Sequence, residues 1–442
     1  MKLFHQAALC LALWSTVVIA AHGDPLSPRV VICTDAGGSD FDDFQSLVHL
    51  FVYADRFDIE GIISSPMGGT GRRKHILQVI DAYEKDYPNL KTYSTHYPAP
   101  DTLRSISRQG ALVTASLCGY GKPTDASRWI IRCAHRNDPR PLWILIWGGL
   151  DDLAQALHDD PAIESKLHVY FIGGPNKKWD PTAYDYIARE HPNLWMIEAN
   201  STYFGWFVGG NQQGEWGNTT FVAKHIAGHG VLGDFFAKHY WQGKVRNTLK
   251  MGDTPSLAYL LDGTPDDPVN TQSWGGSFVR AWNRPRRVFD NAQTNPPTAN
   301  DQVETYSIVD IVYHPSPIAP ANTKSTLLVD QQEFPAFVDD TGGWHFIYCP
   351  KLPKAWNYTI KSTFSGLNGR TGGFTSVNPA VEEAAHPSSH YPYWWTDNPD
   401  PALAEGDQQG AKTISRWRED YLRDFAARMD RCRAPSSPQS SP

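Results

Sequence analysis

Between Arg29 and Glu198 the chain alternates short, almost wholly apolar runs with amphipathic helical patterns, and no other feature narrows its possible folds as far. Arg29–Thr34, Phe57–Ser64, Leu90–Ser94, Leu142–Trp147, Leu167–Ile172 and Leu194–Glu198 read as β-strands. Between them Phe44, Leu47, Val48 and Phe51 recur at helical spacing, as do Ile76, Leu77, Ile80 and Tyr83. A strand that is apolar at nearly every position has to be buried on both faces, and strands separated by helices pair in parallel. The expected fold class is therefore α/β, a mostly parallel open sheet flanked by helices. Ligands of such sheets bind outside the carboxyl ends of the strands, so the residues that directly follow each strand are where chemistry is to be sought.

The pattern changes after Pro255. Residues 262–300 are rich in Pro, Gly, Asn and Asp, which implies irregular loops. Residues 303–378 carry strand-like stretches at Thr326–Val329, Trp344–Tyr348 and Tyr358–Phe364 and read as a β-rich insertion. Ile414, Trp417, Tyr421, Leu422, Phe425 and Met429 mark a closing helix over residues 412–431. One domain spanning 24–433 is expected, with a Ser/Pro tail at 434–442 that reads as disordered.

Residues 1–23 read as a signal peptide: Lys2, an apolar stretch from Ala7 to Ile19, and the small-residue end Val18-Ile19-Ala20. A secreted or periplasmic protein is expected, in an oxidising compartment. Of the five later cysteines, Cys33 lies inside an apolar strand and reads as a buried thiol, whereas a Cys118–Cys133 bridge is a hypothesis. Asn200, Asn218 and Asn357 stand in glycosylation sequons. A formal net charge of −7, with no basic run longer than Arg284-Pro285-Arg286-Arg287, argues against nucleic acid as a partner. No later segment is apolar enough to span a membrane. The 16 Trp suit stacking on pyranose faces as well as core packing.

The chemistry concentrates after the first strand, in Thr34-Asp35-Ala36-Gly37-Gly38-Ser39-Asp40-Phe41-Asp42-Asp43. An Asp at a helix start accepts backbone N–H groups and suits the helix dipole, which accounts for one or two of these carboxylates. Four of them crowded into one loop repel one another unless a cation neutralises them, and a hard cation such as Ca²⁺ takes oxygen ligands. Gly173-Gly174, with Asn176 and Trp179 beyond, either lines a sugar site or forms a tight turn. Ser64 and Ser65 read as turn residues. His225, His229 and His239 lack the His-Glu-x-x-His spacing of a zinc site and read as packing or surface residues.

The acidic loop resembles the Asp-rich amino-terminal fingerprint of inosine-uridine-type nucleoside hydrolases. It is more similar still to a nucleoside-hydrolase-like domain found in a cellulose-binding protein, a branch once classed only as a domain of unknown function. Trp147-Gly148-Gly149-Leu150-Asp151-Asp152-Leu153 resembles that family's second strand-end turn, and Gly252-Asp253-Thr254-Pro255-Ser256-Leu257 its late carboxylate motif. Ser273-Trp274-Gly275-Gly276-Ser277-Phe278 and Asp424-Phe425-Ala426-Ala427-Arg428-Met429 are similar to the unknown-function branch alone. The resemblance implies that Asp35, Asp43 and Asp253 ligate Ca²⁺ through side chains and Asp151 through its main-chain carbonyl. It also implies that Asp42 bonds sugar hydroxyls and that Asp35 is the catalytic base.

Three departures bear on that reading. The loop is longer than in nucleoside hydrolases, which leaves Asp40 as an alternative to Asp42. Gly252 stands where those enzymes place a leaving-group His, and Asp151 where they have Thr. Two functions follow as expectations. One is a secreted, Ca²⁺-dependent hydrolase of a glycosidic bond to ribose or another sugar. The other is a non-catalytic protein that binds cellulose or plant-wall glycan and retains the fold. In either case the partner is a small sugar, a nucleoside-like molecule or a polysaccharide.

Overall fold

The computed structural model describes residues 27–434 except 39, 66–70, 239, 242–243, 246, 284–285 and 293–295. The segment 1–23, residues 435–442 of the tail and His239 lie outside the described residues. The six strands of the first half are β1 (Arg29–Thr34), β2 (Asp58–Ser64), β3 (Ser107–Gln109), β4 (Leu142–Ile146), β5 (Leu167–Ile172) and β6 (Trp195–Ala199). They lie in the order β3-β2-β1-β4-β5-β6, all parallel. Trp394–Thr396 then pairs in parallel with β6, and Val279–Arg280 closes that edge antiparallel.

Alternation along each strand sends side chains to opposite faces. Val30 and Ile32 of β1 and Trp143 and Leu145 of β4 join one core, which is shared with the helices Asp42–Val52, Arg73–Tyr93 and Arg418–Asp430. Val31, Cys33, Ile144 and Ile146 join the other, beneath the helices Asp125–Ala134, Asp151–Asp159 and Pro181–Glu190. Because both faces are covered, the strands read as continuous apolar runs. The closing helix buries Tyr421, Leu422, Phe425 and Met429 and is tied down by Arg428, 2.6 Å from Asp55.

Leu90–Ser94 is not a strand; residues 90–93 are the last turn of the helix Arg73–Tyr93. Leu90 extends the stripe of Ile76, Ile80 and Tyr83 at helical period and is buried with it. Pro88 is tolerated inside this helix because it lies on the exposed side, where water can satisfy the carbonyl it leaves without a donor. Two short strands, Ser107–Gln109 and Trp394–Thr396, have too little pattern of their own to be read locally.

The β-rich insertion forms two further sheets. One has four strands and includes Val309–Tyr313 and Trp344–Tyr348; the other has five and includes Ser325–Val329, Ala355–Ser362 and Thr371–Val377. Trp356, Tyr358 and Ile360 face inward at every second position and meet Ile311, Phe346 and Leu327 in a core separate from the main two. Trp179 docks this unit on the main sheet, its ring 4.6 Å from that of Phe334. Beside it, Lys178 Nζ donates to Gln332 Oε1 at 2.7 Å.

Cys118 and Cys133 are both free thiols, so the hypothetical bridge is not formed. Cys118 is exposed in a loop, whereas Cys133 is buried in the helix Asp125–Ala134 against the Glu60 carbonyl. Cys33 is buried and free. Of the sequons, Asn200 is fully buried and unsuitable for a glycan, whereas Asn357 is exposed. Among the described residues no helix is long and apolar enough to cross a membrane.

Candidate functional site

Strand order decides where the site lies. The chain winds outward from β1 to β2 and β3 on one side and from β4 to β5 and β6 on the other, so the strand order reverses between β1 and β4. Loops diverge at such a switch point and leave a crevice beyond the strand ends. Asp35 leaves β1 there, and Trp147-Gly148 leaves β4 beside it. A Cβ on Gly148 would meet Asp35 Cβ and the Ser65 carbonyl, both at 2.8 Å, so the two strand ends approach this closely only with glycine. Ser65 completes the junction by donating to Asp152 at 2.7 Å, a structural task.

After Asp35 the chain turns sharply. Gly38 N–H donates to the Asp35 carbonyl at 2.7 Å, and Gly37 has φ +90°, a conformation that favours glycine. The next helix then starts with Asp42 and Asp43 in its first turn, where the helix dipole suits negative charge. Asp43 accepts from Thr34 Oγ1 and hydrogen-bonds Asp35. Asp253 arrives from more than 200 residues further along the chain, at the start of the helix Thr254–Leu261. Two side chains hold that segment in place. Gln45 Oε1 accepts from the N–H groups of Lys250 and Met251 at 2.9 and 3.1 Å. Ser256 Oγ accepts from Trp147 Nε1 at 2.8 Å and donates to the Asp253 carbonyl at 2.7 Å.

The result is a pocket of about 50 Å³ lined by Asp35, Asp40, Asp42, Asp43 and Asp253, with Trp147, Asn176, Tyr203 and Lys250 completing its wall. Five carboxylates face one ammonium. Lys250 pairs with Asp40 and stands 3.0 Å from Asp42. Burial, with Asp42 and Asp40 adding repulsion, raises Asp35 to about 7 against the opposing hydrogen bond from Asp43. Asp42, Asp43 and Asp253 are pushed well above the usual carboxylate range, by burial first and then by the nearest carboxylate charge, Asp40 for Asp42, Asp35 for Asp43 and Asp43 for Asp253. Asp40 differs. Burial works against its charge, yet the hydrogen bond with Asp42 and the Lys250 ammonium hold it down to about 2.

Ligand oxygens of Asp42, Asp43 and Asp253 lie within 4.8 Å of one another. Asp253 Oδ2 is buried without a hydrogen-bond partner. Leaving such an oxygen unpaired is costly, and a hard cation would satisfy it while neutralising the neighbours. The residues present therefore fit a divalent cation of the oxygen-seeking kind.

The sequence-derived site residues divide as follows. Asp35, Asp42, Asp43 and Asp253 converge, and the three whose oxygens lie within 4.8 Å of one another are Asp42, Asp43 and Asp253. Asn176 lines the pocket while its amide donates to the carbonyls of Trp147 and Ile172, at 2.7 and 2.9 Å. The Asp151 side chain is directed elsewhere. It accepts from Ala115 N–H at 2.6 Å and shares a hydrogen bond with Asp180. Trp179 is not a wall of the pocket; its ring packs on Phe334 of the β-rich unit. His225 faces Glu215 and the buried His229 faces Asp430, so these two histidines serve separate packing contacts. Lys250, Gln45 and Tyr203 went unread in the sequence. Lys250 alone carried a signal, as a cation two residues before the Gly-Asp motif.

An open, doubly wound sheet with an acidic pocket at its switch point defines a nucleoside hydrolase-like α/β protein. The chain belongs to the family described as cellulose-binding Sde182, nucleoside hydrolase-like domain, whose sequence profile matches residues 29–278. Among solved structures it is similar to a nucleoside hydrolase-related protein from Saccharophagus degradans associated with carbohydrate metabolism. That likeness has 21% identity over 80% of this chain and 100% of the other, with a TM-score of 0.48. A plant nucleoside hydrolase matches at 14% identity over 58% of this chain and 83% of its own, TM-score 0.35. The inosine-uridine preferring nucleoside hydrolase from Bacillus anthracis matches at 16% over 57% and 85%, TM-score 0.32. No curated protein matches the chain.

Proposed function

We propose that this chain is an exported, Ca²⁺-dependent hydrolase of a glycosidic bond to ribose or another sugar. The observation that supports it most is the convergence of Asp42, Asp43 and Asp253 oxygens at the β1/β4 switch point, with Asp253 Oδ2 buried and unpaired. These three carboxylates would hold the cation, joined, as the family resemblance implies, by Asp35 and the Asp151 main-chain carbonyl. A bound cation of this type lowers the pKa of its water and orients sugar diol oxygens.

Asp35 stands at the end of β1, hydrogen-bonded to Asp43, where it can accept a proton from water attacking the anomeric carbon. The fixed carboxylates favour the positive charge that develops on the sugar ring. In this reading Asp42 would also bond a ring hydroxyl, as would Asn176 through its amide oxygen, since its N–H groups go to the Trp147 and Ile172 carbonyls. A pocket of about 50 Å³ has room for an ion and a water but not for a whole sugar ring, so in this reading the sugar would lie at its mouth. Export rests on the amino-terminal sequence pattern. The test is turnover of a panel of nucleosides and plant-wall oligosaccharides with and without EDTA, using wild type and Asp35→Asn. Activity should need the cation and be lost in a folded Asp35→Asn protein. Wild-type turnover in that variant would remove Asp35 as the base.

A second reading has its own support. Gly252 replaces the leaving-group His, the pocket is small, and the family carries a cellulose-binding description. In that reading the chain binds cellulose or another plant-wall glycan without cleaving it. A cellulose pull-down alongside the turnover panel separates the two: retention on cellulose with no product from any substrate favours binding.

A further inference from the structure

Gly252 leaves the acidic pocket without the histidine that serves a leaving group, and the pocket wall offers few donors in its place. The Asn176 amide gives its N–H groups to the carbonyls of Trp147 and Ile172, and the Trp147 indole gives its own to Ser256. The Lys250 ammonium is held by Asp40 and Asp42. Tyr203 is different. It lies in the turn after β6, is only 5% exposed and lines the pocket. Its hydroxyl makes no hydrogen bond among the described residues and keeps open surface. Polar groups in buried side chains are nearly always paired, so an unspent hydroxyl on a pocket wall is free for a ligand.

Two glycines make room for this phenol. A Cβ on Gly174 would meet Tyr203 Cε1 at 2.7 Å and the hydroxyl oxygen at 2.9 Å, so the turn after β5 admits the ring only with glycine there. On the other edge, a Cβ on Gly252 would stand 3.6 Å from Tyr203 Cε2, in ordinary contact. The phenol therefore lies against the point where a side chain at position 252 would begin. A phenol already keeps its proton at neutral pH. Burial, then Tyr306, Asp42, Asp40 and Asp253, push Tyr203 further above the ordinary 10, so its hydroxyl acts as a donor.

We propose, resting on the hydrolase reading, that Tyr203 stands in for the missing histidine by donating a hydrogen bond to the leaving atom. The substrates are then glycosides whose leaving group is stable as an anion, an acidic phenol or a nitrogen heterocycle. The bond to the anomeric carbon breaks with its electron pair on the leaving atom. The attacking water gives its hydroxyl to that carbon and its proton to Asp35. The leaving group departs as an anion on the Tyr203 hydroxyl and takes up a proton from solvent. An alkoxide is too basic to leave in this way, so sugar–sugar links are poor substrates.

The test is turnover, with Ca²⁺ present, of aryl ribosides and aryl glucosides from 4-nitrophenyl to phenyl, beside inosine and cellobiose. Tyr203→Phe removes the hydroxyl alone. Because that hydroxyl has no partner in the fold, the urea midpoint and the Ca²⁺ affinity of the variant should match wild type. Its kcat should fall about 100-fold on phenyl glycosides and inosine but less than about 5-fold on 4-nitrophenyl glycosides, with KM unchanged. Wild type should leave cellobiose intact. An equal loss on both phenols, no loss, or a lowered urea midpoint would overturn the role of Tyr203 and leave the hydrolase reading standing. Cleavage of cellobiose as fast as 4-nitrophenyl glucoside would overturn the substrate class. Wild type that cleaves none of these compounds would remove the hydrolase reading itself, and this proposal with it.

Discussion

Gly252→Ala isolates the role of Asp42 in the acidic pocket. A Cβ at position 252 would sit 2.4 Å from Asp42 Oδ2, while the next neighbours, Asp42 Cγ and Tyr203 Cε2, are at 3.5 and 3.6 Å. Only one oxygen obstructs it, and that same oxygen stands 3.0 Å from Lys250 Nζ. Relief of the overlap needs a shift of about 1 Å to reach ordinary contact. Calcium holds carboxylate oxygens within a shell of about 2.3–2.6 Å, so such a shift takes Asp42 out of it. Cation affinity should fall about 10- to 100-fold, or about 1.4–2.8 kcal/mol.

Calcium at one hundred times the wild-type Kd stabilises the wild type by about 2.7 kcal/mol; a Kd weakened about 30-fold leaves about 0.9 kcal/mol. In EDTA the variant should lie within about 1 kcal/mol of wild type, because alanine in a compatible backbone offsets the lost pairing. Calorimetry gives the affinity, and urea unfolding with and without Ca²⁺ gives the linkage. A Gly252→Ala isotherm that overlays the wild type would show that Asp42 is no part of the cation shell. Gly252→His, which restores the residue of nucleoside hydrolases, should act in the same direction, since its Cβ meets the same oxygen.

Trp179→Ala removes the ring that docks the β-rich unit on Phe334 and should cost about 1–2 kcal/mol, read as faster proteolysis within residues 286–378, with Ca²⁺ affinity unaltered. His345 is flanked by Asp310 at 2.8 Å and Asp339 at 3.2 Å, with Arg286 opposing. Burial works against its charge, but the two carboxylates raise it above the ordinary 6.5. Its stabilisation is therefore complete below 6.5 and is lost as pH rises through the raised value. The urea midpoint should decline across that window in wild type, and an equal decline in His345→Asn would refute the assignment. Native alkylation followed by mass spectrometry should label Cys118 and spare the buried Cys33, Cys133, Cys349 and Cys432. Protection of Cys118 would contradict its exposure.

The helix over residues 73–93 shows how local patterns can mislead. Leu90 to Tyr93 resembles a strand when read alone, yet the buried stripe runs past Pro88 to Leu90. Trp179 illustrates the opposite limit. Its place after β5 suggested a sugar platform, but the β-rich unit more than 150 residues later supplies Phe334 to cover it.

The sequence by itself determined the α/β class and marked Asp35, Asp42 and Asp43 as strand-end or helix-start carboxylates, while Asp253 entered through the family resemblance alone. Those properties are local: periodicity reports burial, and a turn followed by acids reports a helix start. Only the tertiary structure decided the order β3-β2-β1-β4-β5-β6 and so placed the switch point beside Asp35. It also brought Asp253 to Asp43 and Lys250 to Asp40 and Asp42, across more than 200 residues of chain. Which distant segments meet depends on the packing of whole helices and sheets, a sum over many weak contacts that no single stretch of sequence encodes.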